Sequence, residues 1–220
     1  MKLVNNLYCY PEQGMLDCNT YVFTGDPGVI FDPGNPDYLP ALVDGMAGDG
    51  ISPRDIGLIV NTHLHIDHSA GNEGFKALSG ARIALHPVQM QYYQAVVVGG
   101  ARLFGIRPAE FTADIELDGD RLEAGGASWE LIPAPGHSPE CVCFYDRAGR
   151  ILICGDVIFE MNTGRVDLPG GNAGELKKSI ESLAQLDIEY LLPGHMGVVA
   201  GADKVAANFD FIRNNVFAWL

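Results

Sequence analysis

Five of the six histidines in this chain stand in short motifs that could hold metal ions. Three of them, His63, His65 and His68, share one seven-residue run, Thr62-His63-Leu64-His65-Ile66-Asp67-His68, with the carboxylate of Asp67. The other two close Pro-Gly-His turns, at His137 and His195, and Asp156 follows Gly155 at the end of an apolar run. Imidazole and carboxylate donors at this density suit divalent transition metals. His63 and His65 are two residues apart, so an extended segment projects both to one side. Asp67 and His68 come where the chain turns into a helix, which aims them at a neighbouring point. One short segment can thus serve two metals about 3.5–4 Å apart, with Asp156 able to bridge them. Water between two such ions ionises near neutral pH and provides a hydroxide nucleophile without a dedicated base. The sixth histidine, His86, precedes Pro87 and is expected in a structural, hydrogen-bonding role.

The elements that must position these donors alternate between strands and helices. β-rich runs cover Leu3 to Tyr10, Asn19 to Thr24 and Gly28 to Asp32. Leu39, Leu42, Val43 and Met46 recur at helical spacing between Pro36 and Gly48. Ile56 to Asn61 is an apolar strand leading straight into the histidine run, followed by a short helix over Glu73 to Ser79 and a strand over Arg82 to Leu85. His86 to Asp114 reads as one or two helices broken at Gly99-Gly100, either packed on the core or walling the site. Further strands follow at Arg121 to Glu123, Ser128 to Pro133, Cys141 to Asp146 and Arg150 to Cys154, the last two joined by a turn at Asp146 to Gly149. An amphipathic helix over Ala173 to Leu186, a strand at Tyr190 to Leu192 and a closing helix over Asp203 to Trp219 complete the chain. Two strand-rich halves, each with helices, predict an α/β protein: two sheets packed face to face with helices outside. The candidate ligands all follow strands, in loops along one edge.

Composition sets the bounds. The chain has 220 residues, 47% hydrophobic and 19% charged, which suits one domain spanning 1–220. A net charge of −14 opposes binding to nucleic acid, while a metal site would remain locally positive and could take a small-molecule substrate. No apolar run reaches membrane-span length, and asparagines at positions 5 and 6 interrupt any signal-peptide stretch, so no membrane association and a cytoplasmic location are expected. Apolar helices, if exposed, offer a surface for a homodimer. Five cysteines include no C-x-x-C pair and are expected as buried free thiols.

Together, the T-H-x-H-x-D-H run, the Pro135-Gly136-His137-Ser138-Pro139 segment, Gly155-Asp156 and Pro193-Gly194-His195 resemble the metallo-β-lactamase-fold hydrolases. The resemblance extends from Asn19-Thr20-Tyr21-Val22 to His195. It implies an αββα sandwich of two mixed sheets flanked by helices. It also implies one metal held by His63, His65 and His137 and a second by Asp67, His68 and His195, with Asp156 bridging and Asp67 and Asp156 as catalytic carboxylates. Two divalent ions are implied, zinc first, while the same donors accept iron or manganese.

Within that family the segment from Gly155 to Phe159 and the run from Gly164 to Gly171 are similar to the glyoxalase II-like branch. Lactamases of the best-known type carry Arg and Cys at the positions of His68 and Asp156. In the Gly164 to Gly171 run, Arg165 and Asp167 are expected to form an ion pair that fixes the loop. Glyoxalase II proper adds a helical extension with basic residues that hold glutathione. Only 25 residues follow His195 here, with Lys204 and Arg213 as their only cations, so that mode of glutathione recognition is not expected. Glu140-Cys141 replaces the Gly-Ser often found after the family's Pro-Gly-His turn.

The expected activity is hydrolysis of a thioester or related ester by a hydroxide bridging two metal ions. A thiolate leaving group needs little protonation, which suits a chain with no evident Ser-His-Asp set. Persulfide dioxygenases share the motif but resemble one-iron enzymes using the equivalents of His63, His137 and Asp156. A lactonase, a nuclease or a non-catalytic binding module are the further alternatives.

Overall fold

The computed structural model describes residues 2–220. Two mixed sheets dominate it. The first runs in chain order, β1 (Lys2–Val4), β2 (Leu7–Tyr10), β3 (Thr20–Phe23), β4 (Gly28–Phe31), β5 (Ile56–Val60), β6 (Arg82–Leu85) and β7 (Ile115–Glu116). Pairing is antiparallel from β1 to β4 and parallel from β4 to β7. Parallel neighbours need crossovers. These are supplied by α1 (Leu39–Gly48), by α2 (Ile66–Ser69) with α3 (Asn72–Ser79), and by α4 (Pro87–Tyr93) with α5 (Gly99–Phe104).

The second sheet comprises β8 (Arg121–Ala124), β9 (Ala127–Pro133), β10 (Val142–Asp146), β11 (Ile151–Gly155), β12 (Tyr190–Pro193) and β13 (Val199–Ala200). Only β11 and β12 pair in parallel, and α6 (Ala173–Leu183) crosses between them. Helix α7 (Ala202–Phe211) follows β13.

Strand alternation explains the layers. Val29, Phe31, Leu58 and Val60 point inward and meet Trp129, Val142, Phe144 and Ile153 of the other sheet. The Phe31 ring lies 5.2 Å from Trp129 and 5.1 Å from Phe144 between centroids, tilted or edge-on to each. The residues between them point outward: Ile30, Ile59 and Ile83 pack under Leu42, Met46, Phe75 and Val96. On the far side Cys143, Tyr145, Leu152 and Leu191 pack under Leu176, Ile180, Val205 and Phe209. Both faces of the central strands are therefore covered, which is why they read as continuous apolar runs. The arrangement is the expected αββα sandwich. All five cysteines are buried and stand outside any disulfide, and Cys141 and Cys143 share one face, as their spacing requires.

Three elements differ from the sequence expectation. The run from Leu3 to Tyr10 is a hairpin, because Asn5 adopts φ +45° and turns β1 back on β2. Gly99-Gly100 does not break the helical path: a π-helical turn over Gln94–Val98 leads directly into α5, and the chain leaves the helix at Gly105, φ +68°. The last helix likewise loosens into a π-helical turn over Ile212–Val216. Among the described residues no helix is long and apolar enough to cross a membrane.

Candidate metal centre

The strand ends β5, β9, β11 and β12 deliver the candidate donors to one edge of the sandwich. His63 and His65 follow β5, His137 follows β9, Asp156 follows β11 and His195 follows β12, while Asp67 and His68 sit in α2. Backbone bonds lock the two sheets together there: Val142 N–H donates to Thr62 C=O at 2.8 Å and Asn19 N–H to Gly194 C=O at 2.7 Å. Close approach requires glycine at Gly194, where a Cβ would run into Asp156 Oδ1 and His68 Cε1.

All seven predicted side chains converge. His63, His65 and His137 form one group and Asp67, His68 and His195 another, the donor atoms of each lying within 4.8 Å of one another. In the first group His65 Nδ1 is 3.1 Å from His63 Nε2 and 2.8 Å from His137 Nε2. In the second, His195 Nε2 is 3.3 Å from Asp67 Oδ2, and His68 Nε2 is 3.9 Å from the same oxygen. Asp156 stands between the groups: Oδ1 is 3.2 Å from His68 Nε2, and Oδ2 is 3.4 Å from His195 Nε2 and 3.5 Å from His137 Nε2.

The rear nitrogens of four imidazoles are engaged, which turns the other nitrogen of each toward the centre. Asp32, at the end of β4, accepts from His68 Nδ1 at 3.0 Å and from the Thr62 hydroxyl at 2.6 Å. That hydroxyl lies 3.2 Å from His63 Nδ1, so one buried carboxylate orients two rings. His137 Nδ1 donates to the Arg165 carbonyl at 2.7 Å, and His195 Nδ1 contacts Glu12 Oε2 at 2.7 Å. Buried Glu140 ties the two histidine loops together, accepting from Leu64 N–H at 2.8 Å and from the Ser138 hydroxyl.

Electrostatics favour a cation. Burial, reinforced by His68 and His65, holds the His63 imidazole well below its usual range. Burial and the His137 ring push His65 down to about 3. These rings therefore present lone pairs at neutral pH. Burial disfavours charge on Asp156, yet His68 and His195 outweigh it and keep the carboxyl well below its ordinary value. His68 Nε2 and Asp156 Oδ1 are buried and face each other at 3.2 Å, and neither has a hydrogen-bond partner among the described residues. Unsatisfied buried polar atoms are costly. A divalent ion in each group would satisfy them, so the donor set fits the metals that the sequence motif implied.

A cavity of about 360 Å³ opens onto this cluster, with His65, Asp67, His137, Asp156 and His195 at its floor. Its walls come from the turn before α5, from α5 itself and from the loop after Asp156. Arg165 and Asp167 form the expected pair, Nε to Oδ1 at 2.6 Å, on that loop. His86 lies outside the cavity and caps α4, its Nδ1 accepting from Val88 N–H at 3.2 Å.

Sequence reasoning missed Glu12, Asp32 and Glu140. Asp32 carried a faint signal as an acidic residue ending an apolar strand, and Glu140 stood out only as a departure from the family's Gly-Ser; Glu12 carried none.

Fold and site together define a metal-binding αββα protein. Residues 14–195 match the model of the Metallo-beta-lactamase superfamily, and the chain belongs to that superfamily. It is 31% identical over 191 residues to YqgX of Bacillus subtilis, a probable metallo-hydrolase, with 86% of each chain covered. It is 29% identical over 194 residues to the acyl-coenzyme A thioesterase MBLAC2 of Gallus gallus, covering 77% of this chain and 66% of that one. Among solved structures, the B3 metallo-beta-lactamase BLEG-1 superposes with TM-score 0.77 at 27% identity, covering 94% of this chain and 99% of that one. A second, TTHA1623 in a di-iron-bound form, gives TM-score 0.73 at 28% identity, covering 90% and 98%.

Proposed function

We propose that this chain is a metal-dependent hydrolase of a thioester or related ester, in the glyoxalase II-like branch of its superfamily. One observation carries the proposal: two complete donor groups flank a shared buried carboxylate, Asp156, at the floor of an open cavity. His63, His65 and His137 would hold one ion and Asp67, His68 and His195 the other. Metals bound there would supply a nucleophile from water at neutral pH and an electrophile for the substrate carbonyl.

The remaining work falls to the chain. Asp32, Glu12 and the Arg165 carbonyl fix ring orientation, so the site needs little rearrangement during reaction. The apolar cavity walls exclude bulk water around the scissile bond. Asp67 and Asp156 place negative charge beside the reacting atoms, and a thiolate leaving group departs without a general acid. The thioester assignment is supported by the likeness to a protein named as a thioesterase and by the full His and Asp complement, with His68 and Asp156 where lactamases of the best-known type usually have Arg and Cys.

Metal analysis of the protein as isolated, followed by assay on a thioester panel, tests this. The expected result is up to two divalent ions per chain and thioester turnover abolished by chelation. One iron per chain with oxygen consumption on a persulfide substrate would overturn it.

A further inference from the structure

The cavity over the donor cluster has a chemical character of its own. Leu16, Val96, Leu103, Phe104, Phe159 and Leu168 line it above the floor. Among the described residues Arg165 is the only lysine or arginine in the lining, and its guanidinium is engaged by Asp167 through Nε and Nη2, each at 2.6 Å. Leu103 and Phe104 remain 60% and 44% exposed although they face this cavity. Large apolar side chains left open beside a reaction centre mark a surface that an apolar partner covers.

Helix α5 shows where that partner lies. Gly100, Leu103 and Phe104 recur at i, i+3 and i+4, so they form one stripe along the cavity wall. Ala101 faces the other way and is fully buried. A Cβ built on Gly100 would meet nothing within 4 Å. Glycine in a helix costs about 1 kcal/mol relative to alanine, and here no close approach demands it. Its effect is to leave a slot in the wall beside the donor floor.

We propose that this slot takes an apolar acyl chain of the substrate, lying along the Gly100, Leu103 and Phe104 stripe, and that Gly100 sets the chain length accepted. The inference rests on the hydrolase reading above and specifies its substrate: an ester or thioester of an unbranched apolar acid, without a charged group at the chain end. A polar acyl group would leave Leu103 and Phe104 uncovered, and a terminal carboxylate would find no unpaired lysine or arginine among the described lining residues.

Thioesters of one small uncharged thiol, N-acetylcysteamine, test this with acetyl, butanoyl, hexanoyl and adipoyl groups on the metal-loaded enzyme. A buried methylene is worth about a fourfold gain, so kcat/KM should rise at least about tenfold from acetyl to hexanoyl. Adipoyl, the hexanoyl chain with a terminal carboxylate, should fall at least about tenfold below hexanoyl. Gly100→Leu places a good helix former where space is open, so it should fold and melt no lower than the parent. It should flatten the chain-length dependence. Binding of the matching non-hydrolysable S-alkyl thioethers, followed by calorimetry on both proteins, gives a readout independent of turnover.

A flat chain-length series in the parent, or an unchanged slope in Gly100→Leu, overturns the acyl slot while leaving the hydrolase reading intact. Thioether binding that strengthens with chain length and is lost in Gly100→Leu, without turnover of any thioester, supports the slot and overturns the hydrolase reading. Absence of both binding and turnover overturns both.

Discussion

The two donor groups are built differently although they share Asp156. His63, His65 and His137 are all nitrogen donors, and two of the three are buried. Asp67, His68 and His195 include a carboxylate, and only His68 is buried. Bracing differs in the same sense. In the first group His63 is oriented by the buried Thr62 hydroxyl and His137 by the Arg165 carbonyl. His195 depends on Glu12, whose side chain is 37% exposed. Charge differs as well. Burial leaves His63 and His65 neutral, whereas His195 between Asp156 and Asp67 is lifted to about 10 against the effect of burial. On the two-metal reading proposed above, two unequal halves should bind their ions unequally, the interior group more rigidly and the carboxylate-bearing group more exchangeably.

Substitution at the shared carboxylate should have the largest effect. Asp156→Ala removes the side chain that both groups use, so metal content should fall in both. Loss of several kcal/mol of charge stabilisation predicts an activity drop of at least about 10³-fold. His65→Ala should instead empty the first group selectively. Equal metal content in Asp156→Ala, His65→Ala and the parent would break the comparison outright.

Asp32 comes next because it braces a ring in each group. Asp32→Ala leaves His68 Nδ1, the Thr62 hydroxyl and Thr62 N–H without their buried acceptor. Leaving several buried donors without an acceptor costs about 3–5 kcal/mol, at about 1–3 kcal/mol for each group. In a chain of this size that lowers Tm by roughly 10 °C, measurable by calorimetry.

The smallest effect sharpens the contrast. Glu12→Ala frees only His195 Nδ1 and Met196 N–H at the surface. Affinity for one ion should weaken by about 10–100-fold while the other holds, giving two separated steps in a chelator titration. A parallel weakening of both ions would mean that the halves act as one.

Much of this protein was legible before folding. The apolar runs at Gly28–Phe31, Ile56–Val60 and Ile151–Gly155 marked strands buried on both faces, and the helical spacing of Leu176, Ile180 and Leu183 marked α6. The donor side chains were visible because metal ligands come in short local patterns at strand ends. The braces were not, because each acts across a long stretch of chain: Asp32 is 36 residues from His68, Glu140 is 76 from Leu64, and Glu12 is 183 from His195. A lone acidic residue carries no mark of the partner that it will meet. The hairpin at Asn5 follows from asparagine's tolerance of positive φ, a turn signal that the apolar run around it masked. The helical path through Gly99-Gly100 is unbroken because burial of Val96, Val97 and Ala101 outweighs the low helix propensity of glycine.

Residue type and spacing alone determined the donor set, the layered α/β class and the kind of ion those donors suit. Local chemistry suffices for that, since imidazole and carboxylate have fixed preferences and strand periodicity is a property of the backbone. Tertiary structure decided which donors meet, which rings are braced from the interior and which from the surface, and what lies over them. Convergence within a few ångströms and the open space beside Gly100 depend on how distant segments pack. Spacing along the chain does not encode that.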